Sequence, residues 1–371
     1  MANVFDYLKW RGDLTFSQSP LNSVDALIFS GLSYIAYGGH VEISPDKPVT
    51  LKQAAEEFFA LPDHETRSRV QKDQDLLAAA AGTERFGNCE ICMYRSQLIP
   101  HQETQFAAMN FLLEDGSMFL AFRGTDNSLV GWKEDFNMTF QQTIPAQRLA
   151  LNYVREAALE YLRPIWIGGH SKGGNLAVFA AARSSPMIQQ RILQVFNHDG
   201  PGFTQYLMGD PGYLAMVPKI RTYIPQSSVI GMLLEHEEPY TVIRSKSVGL
   251  LQHDLYTWDV LGKDFLTVEE ITEGSQFMDA TIKTWFSSMT NQERTQLVDV
   301  MFTLLGSGGV DNIHDLLHPK NIRTYIKTLS SDENLRRVLS TEFQGLIEAA
   351  RTTRLRFEEA RELPEPPEEL Q

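Results

Sequence analysis

The feature that most limits the possible fold is the stretch IWIGGHSKGGNLAVFAAA, residues 165–182. An apolar run leads into a cluster of glycines around one serine, Ser171, and an alanine-rich run follows. This order is typical of a buried strand followed at once by a helix, and Gly169-His170-Ser171-Lys172-Gly173 fits G-x-S-x-G. Such a turn holds a serine hydroxyl clear of the backbone, and small flanking residues relieve the crowding. We predict a nucleophilic serine, with an inert strand-to-helix turn as the alternative.

The segments around this turn alternate between helix and strand patterns. A helix is predicted at 148–162, and strands are predicted at 192–197, 219–225 and 240–245. Short apolar runs separated by helices indicate parallel strands that are covered on both faces. We therefore predict an α/β fold with a mostly parallel sheet and helices on both faces.

The ends of the chain have a different character. The first third is predicted to be mainly helical, with a helix at 22–38, followed by strands over 89–99 and 104–124. From Thr267 the pattern is helical, and T-x-x-E sequences at Thr267–Glu270 and Thr290–Glu293 predict capping boxes. We predict three parts, which are an α/β domain with an N-terminal helical segment over 1–266, a helical extension over 267–360 and a disordered acidic tail over 361–371.

Composition excludes several classes of partner and location. The net charge of −14 argues against nucleic acid and anionic membrane surfaces, which are bound by basic patches. We see neither a membrane-spanning run nor a secretory signal, and we predict a cytoplasmic protein. The only cysteines, Cys89 and Cys92, lie in a predicted strand, where residues three apart point to opposite faces. They are predicted to be reduced structural thiols rather than a metal site.

A nucleophilic serine needs a base and an orienting carboxylate. His253 follows the predicted strand 240–245, where the last loop of the sheet returns toward the serine. His236 is the alternative base, although it is predicted to lie on a solvated acidic segment. Asp199 follows the strand 192–197 in NHDGPGF, and it is either the acid or a turn aspartate that bonds its own backbone.

Other carboxylates are weaker candidates for the acid. Asp254 adjoins His253 in sequence and cannot easily reach its ring, and Glu235 and Glu237 remain as further alternatives.

The oxyanion hole requires two N–H donors. We assign one to Lys172 and the other to Thr125, which follows a predicted strand. The alternative for the Thr125 segment is a purely structural strand end that is held by an arginine salt bridge.

Two segments of the sequence resemble class 3 (fungal-type) lipases. AFRGTDNSLVGWKEDF is similar to their F-R-G-[ST]-x-S-x-x-x-W-x-x-D segment, and GGHSKGGNLA to their G-H-S-x-G-G-x-L-A turn. NHDGPGF, GLLQHDLYTW and the helical end resemble a bacterial family of lipase-like α/β-hydrolases called Mbeg-like. The resemblance implies an α/β-hydrolase fold, Ser171 as nucleophile, His253 as base, and Thr125 with Lys172 as the oxyanion hole.

The sequence departs from the class 3 pattern at two places. Where those lipases carry the acid in D-x-V-P, this chain reads QSSVIG, with Ser228 at the place of the aspartate. Asp199 resembles instead the acid of pancreatic-type lipases, which also follows the strand after the nucleophile. Lys172 stands where lipases usually carry an apolar residue, and its amine either favours a charged acyl substrate or pairs with an acidic neighbour.

These observations predict a serine hydrolase that cleaves an ester or thioester of a lipid or acyl conjugate without metal or organic cofactor. The alternative is a non-catalytic protein of the same fold that binds a partner.

Overall fold

The centre of the fold is an eight-stranded sheet whose strands are arranged in chain order. The strands are β1 (Val49–Thr50), β2 (Glu90–Ile99), β3 (Thr104–Leu112), β4 (Met118–Phe122), β5 (Ile165–His170), β6 (Ile192–His198), β7 (Ile220–Pro225) and β8 (Tyr240–Ile243). Neighbours from β1 to β4 are antiparallel, whereas those from β4 to β8 are parallel. A separate hairpin pairs β9 (Val260–Leu261) with β10 (Asp264–Phe265).

The computed structural model describes residues 2–38, 47–309, 316 and 318–362. Among the described residues before Ile271, the α-helices are α1 (Val4–Arg11), α2 (Ser23–Leu32), α3 (Leu51–Phe59), α4 (Gln71–Ala81), α5 (Glu84–Gly87), α6 (Leu129–Asn137), α7 (Pro145–Glu160), α8 (Lys172–Ala182), α9 (Pro186–Arg191) and α10 (Pro211–Met216). The helix predicted at 22–38 ends earlier than expected, at Leu32, and its N-cap is Asn22.

Both faces of the sheet are buried under helices. Helices α1 to α5 contribute to one apolar core, and α7 and α8 contribute to the other. Side chains of one strand alternate between the two cores, since Met109 of β3 lies in the first and Ala108 in the second. Apolar residues at consecutive positions of these strands therefore reflect burial on two sides, as the sequence predicts.

The two cysteines lie on opposite sides of the sheet. Both are buried free thiols, with Cys89 in the core formed with α1 to α5 and Cys92 in the core formed with α7 and α8. Burial raises the pKa of the Cys92 thiol to about 11. This arrangement agrees with the predicted structural role.

A second compact unit begins at Thr272. Its helices are α11 (Glu273–Ser287), α12 (Asn291–Gly306), α13 (Pro319–Ser331) and α14 (Glu333–Glu362). The capping box at Thr290–Glu293 is present, whereas the one predicted at Thr267–Glu270 is wrong. Thr272 caps α11 instead, because the backbone at Thr267 pairs with Ile243 of β8.

The remaining described segments end with α14. Of the tail predicted at 361–371, residues 363–371 lie outside the described residues. None of the described helices is both long and apolar enough to cross a membrane.

The order and direction of the strands give an α/β-hydrolase fold. Because β4 to β8 are parallel, their carboxyl ends meet at one edge of the sheet. The turn from β5 into α8 lies at that edge, as do the chain segments that leave β6, β7 and β8. In folds of this kind the edge formed by the carboxyl ends carries the functional groups.

Candidate active site

Ser171 lies in a strained turn between β5 and α8. Its φ of 60° and ψ of −133° place a non-glycine residue in a region that L-residues rarely adopt. The glycines beside it are required by close packing. A Cβ on Gly169 would lie 2.2 Å from the carbonyl carbon of Gly173, and a Cβ on Gly173 would lie 2.1 Å from Phe122 O. The G-x-S-x-G spacing thus lets β4, β5 and α8 approach each other around the serine.

Asp199 follows β6 directly and is fully buried. Its φ is 54°, so its backbone also has a left-handed conformation, and its N–H donates to Tyr223 O over 2.8 Å. One carboxylate oxygen, Oδ2, accepts a hydrogen bond from His253 Nδ1 over 2.6 Å. The other, Oδ1, accepts one from Ser228 Oγ over 2.5 Å. Asp199 therefore orients toward His253 rather than bonding its own backbone as a turn residue.

His253 ends a short 3₁₀ turn that follows β8, and its side chain is 24% exposed. Its ring packs against the ring of His170, the residue before Ser171, with the ring centroids 4.6 Å apart. The structure thus brings His253 to the turn that carries Ser171, while its Nδ1 is bound to Asp199. This bond occupies one ring nitrogen of His253, Nδ1, with a buried carboxylate.

His170 holds the backbone of the His253 turn. Its Nε2 donates to His253 O over 2.7 Å, and its Nδ1 accepts a hydrogen bond from the Tyr34 hydroxyl over 2.9 Å. Burial lowers the pKa of His170 well below 6.5, so its ring is neutral, which matches one donating and one accepting nitrogen. The sequence places this side chain away from the serine but gives no signal for its contact with His253.

Gln252 links the turn that follows β7 to the turn that carries His253. Its Oε1 accepts the N–H of Ser227 over 2.8 Å, and its Nε2 donates to Ser247 O over 2.8 Å. The indole of Trp258 donates to Gln252 O over 2.8 Å. This buried glutamine directly precedes His253, but no motif in the sequence points to its role.

Two other histidines, His236 and His198, contact groups other than Asp199. The side chain of His236 is only 9% exposed, so the solvated position predicted for it is wrong. The ring is directed inward, because Nε2 donates to Gly231 O and Nδ1 lies 3.2 Å from the buried carboxylate of Glu238. His198 is not among the predicted bases. Burial lowers its pKa to about 3, and its Nδ1 lies 3.3 Å from Ser30 Oγ.

The strand end that carries Thr125 passes beside Ser171. A Cβ on Gly124 would lie 3.1 Å from Ser171 Cβ and 2.2 Å from the Tyr34 hydroxyl. Thr125 Oγ1 donates to the Asp135 carboxylate, so this hydroxyl is engaged in a hydrogen bond within the protein. Lys172 is the first residue of α8, where a backbone N–H has no acceptor within the helix.

The side chain of Lys172 is buried and ends in a polar cluster. Its Nζ donates to Gln105 O over 3.0 Å, to Gln105 Oε1 over 2.7 Å and to Glu134 Oε2 over 3.0 Å. Asp135 Oδ1 lies 3.7 Å from the same nitrogen. Of the two interpretations of this lysine, the structure supports pairing with acidic neighbours. No pattern in the sequence indicates that Gln105 belongs to the cluster.

The two carboxylates of this cluster, Asp135 and Glu134, have different surroundings. Burial raises the pKa of Asp135 from 3.8 to about 6, although the nearby Lys172 and the Thr125 hydroxyl oppose the change. Glu134 is fully buried and accepts three donors, which are Lys172 Nζ and the N–H groups of Gln105 and Ala146. The segment that follows β4 is thereby fixed to β3 and α7 by charge-assisted bonds.

Within the part of the chain that the structure describes, no group of three or more His, Cys, Asp or Glu side chains is arranged to hold a metal ion.

The sequence matches the Mbeg1-like family over residues 80–303, which is more than half of the chain and includes every residue predicted for the site. The chain belongs to the Mbeg1-like family. No curated protein matches this Mbeg1-like chain.

Solved structures similar to the Mbeg1-like protein include several lipases. The mono- and diacylglycerol lipase from Aspergillus oryzae is 12% identical, with a TM-score of 0.40 over 74% of this chain and 88% of that chain. The Rhizomucor miehei lipase propeptide complex is 11% identical, with a TM-score of 0.39 over 65% of this chain and 80% of that chain. Lipase II from Rhizopus niveus is 14% identical, with a TM-score of 0.34 over 59% and 79%.

Proposed function

We propose that this Mbeg1-like protein is a serine hydrolase that cleaves a carboxylic ester or thioester of a lipid or acyl conjugate. Ser171 Oγ attacks the acyl carbonyl carbon while its proton passes to His253 Nε2. Asp199 holds the imidazole in the tautomer that leaves Nε2 free to accept this proton. The proposed location is the cytoplasm, as predicted from the sequence.

The tetrahedral anion formed by this attack needs hydrogen-bond donors. The N–H groups of Thr125 and Lys172 fill that role in the proposal, and each such donor contributes about 3 kcal/mol to transition-state stabilisation. Collapse of the anion expels the alcohol or thiol, which takes the proton from His253. Water then attacks the acyl-enzyme with His253 as base, releasing the carboxylic acid and regenerating Ser171.

The observation that carries the proposal is the 2.6 Å hydrogen bond between His253 Nδ1 and Asp199 Oδ2. The two residues are far apart in sequence, and both lie at the sheet edge where Ser171 is held at φ 60°. A buried carboxylate bound to Nδ1 of a partly exposed histidine is the arrangement that general-base catalysis by Nε2 requires. An inert strand-to-helix turn would not need either partner.

A fluorophosphonate probe tests the nucleophile. The wild-type protein is expected to be labelled at Ser171, and Ser171→Ala is expected to remain unlabelled while its circular dichroism spectrum stays unchanged. If folded wild-type protein is labelled no more than Ser171→Ala, the serine hydrolase assignment fails and a non-catalytic binding protein becomes the better description.

The two candidate bases can be compared directly. Turnover of p-nitrophenyl esters is expected to be lost in His253→Ala and retained in His236→Ala, because His236 is bonded to Gly231 and Glu238 rather than to Asp199. The opposite result would move the base to His236. A screen over p-nitrophenyl esters and acyl-CoA thioesters of increasing chain length then identifies the acyl group and the leaving group.

A further inference from the structure

The turn that leaves β7 has no role in the proposed reaction, yet its side chain at position 228 touches the site. Ser228 Oγ donates to Asp199 Oδ1 over 2.5 Å, and both residues are buried, at 3% and 0% exposure. This is the place where the class 3 pattern carries its aspartate. We propose that Ser228 is a positioning residue, which fixes the Asp199 carboxylate in the orientation that binds the His253 ring. The inference rests on the proposed function.

The hydrogen-bonding capacity of Ser228 is directed toward the carboxylate. Its Oγ accepts the N–H of Gly231 over 3.0 Å, so the hydroxyl proton points away from that N–H and toward Asp199 Oδ1. The two oxygens of Asp199 are thereby divided, with Oδ1 bound to Ser228 and Oδ2 to His253. Rotation of the carboxylate would break two charge-assisted bonds at once, and these are the stronger class of hydrogen bond.

The turn closes tightly over the acid. A Cβ on Gly231 would lie 2.3 Å from Asp199 Oδ1 and 3.1 Å from Ser228 Oγ, so only glycine permits this approach. The N–H of Ser227 is bound by Gln252, the residue before His253. Both partners of the carboxylate therefore lie on turns that are fixed to each other.

A serine at this position suits an acid that follows β6 instead of β7. Asp199 has a φ of 54° and reaches the histidine from the neighbouring strand end, which leaves its second oxygen directed at the β7 turn. A second carboxylate at position 228 would place two like charges in contact in a buried site, whereas a hydroxyl supplies the donor that the first carboxylate needs. Ser228, at the place where the class 3 pattern carries its aspartate, thus acts through Asp199.

The test compares Ser228→Ala with Ser228→Thr, which keeps the hydroxyl. Loss of one charge-assisted hydrogen bond to Asp199 is expected to lower kcat about tenfold to a hundredfold with KM unchanged, because Ser228 positions the base and does not touch the substrate. Ser228→Thr is expected to recover most of that loss. The matched control is Ser184→Ala, which removes a buried hydroxyl that bonds Ala180 O, outside the site.

A second measurement separates this inference from the proposed function. The proton in the 2.6 Å hydrogen bond between His253 Nδ1 and Asp199 is expected to give a far-downfield proton NMR resonance, which can be observed without turnover. We expect Ser228→Ala to shift or broaden it, and Ser184→Ala to leave it unchanged. An unaltered resonance together with an unaltered kcat in Ser228→Ala overturns the positioning role, whereas failure of wild-type protein to react with fluorophosphonate overturns only the catalytic proposal.

Discussion

Replacing Lys172 by methionine tests how this buried cation is used. Methionine fills a similar volume but donates no hydrogen bond, so the change removes three contacts, two to Gln105 and one to Glu134. Lys172 is 1% exposed and Glu134 is fully buried, which leaves the glutamate without a cation in a site that water does not reach.

The expected loss of stability is large because one charge is left unpaired. Removing one partner of a buried ion pair costs about 3–5 kcal/mol. Glu134 keeps the N–H groups of Gln105 and Ala146, which argues for the lower half of that range. In a Glu134→Gln background the same lysine substitution leaves no buried carboxylate at that position, so the free energies should be non-additive by about 1–3 kcal/mol.

Urea unfolding of wild type, both single variants and the double variant measures this coupling. Tryptophan fluorescence is a suitable signal, since four of the five tryptophans, Trp10, Trp132, Trp166 and Trp258, belong to the unit that ends at Ile271. Additive losses, within about 0.5 kcal/mol, would refute the ion-pair argument.

The same lysine variant also tests the alternative that the amine binds a charged acyl group. The ratio of kcat/KM between anionic and neutral p-nitrophenyl esters should stay constant in Lys172→Met, because Nζ is directed into the cluster. A selective loss for the anionic ester would contradict that orientation.

Two further predictions concern stability. The pKa of Asp135 is raised from 3.8 to about 6, so the folded state holds the protonated carboxyl more tightly than the unfolded state does. The free energy of unfolding of wild type, relative to Asp135→Asn, is therefore highest below pH 4 and falls by up to about 3 kcal/mol as the pH rises through 6. Urea unfolding of both proteins at pH 4 and 7 checks this, and parallel pH dependences would contradict it. Gly173→Ala should destabilise by about 1–3 kcal/mol because its Cβ would lie 2.1 Å from Phe122 O. Gly82→Ala, where the nearest atom is 3.5 Å away, is the control, and equal melting temperatures for the two variants would disprove the packing argument.

Several local patterns in the sequence were sufficient for prediction. The strand predicted at 192–197 is β6, the helix predicted at 148–162 corresponds to α7, and Thr290–Glu293 forms the capping box of α12. Such features depend on residues a few positions apart, so periodicity and capping residues identify them. The capping box at Thr267–Glu270 failed because a long-range pairing with Ile243 competes for the same backbone.

Side-chain surroundings were harder to infer. His236 lies in a segment of acidic residues, which suggests exposure, yet Glu238 accepts hydrogen bonds from the hydroxyls of Tyr213 and Thr222 and is buried. The sequence cannot distinguish a carboxylate with buried donors from a solvated one, since those donors come from other elements. For the same reason it left two interpretations of the Lys172 amine open.

The sequence by itself determined the turn around Ser171, the alternation that produces a parallel sheet, and the order of Ser171, Asp199 and His253 along the chain. The contacts among these groups depend on tertiary structure, because Asp199 and His253 are 54 positions apart and Lys172 is 67 positions from Gln105. Parallel pairing of β4 to β8 brings the strand ends to one edge, and packing there selects Ser228 as the partner of Asp199. Short-range patterns specify elements, whereas the orientation of a buried polar side chain is set by the donors and acceptors that distant segments place around it.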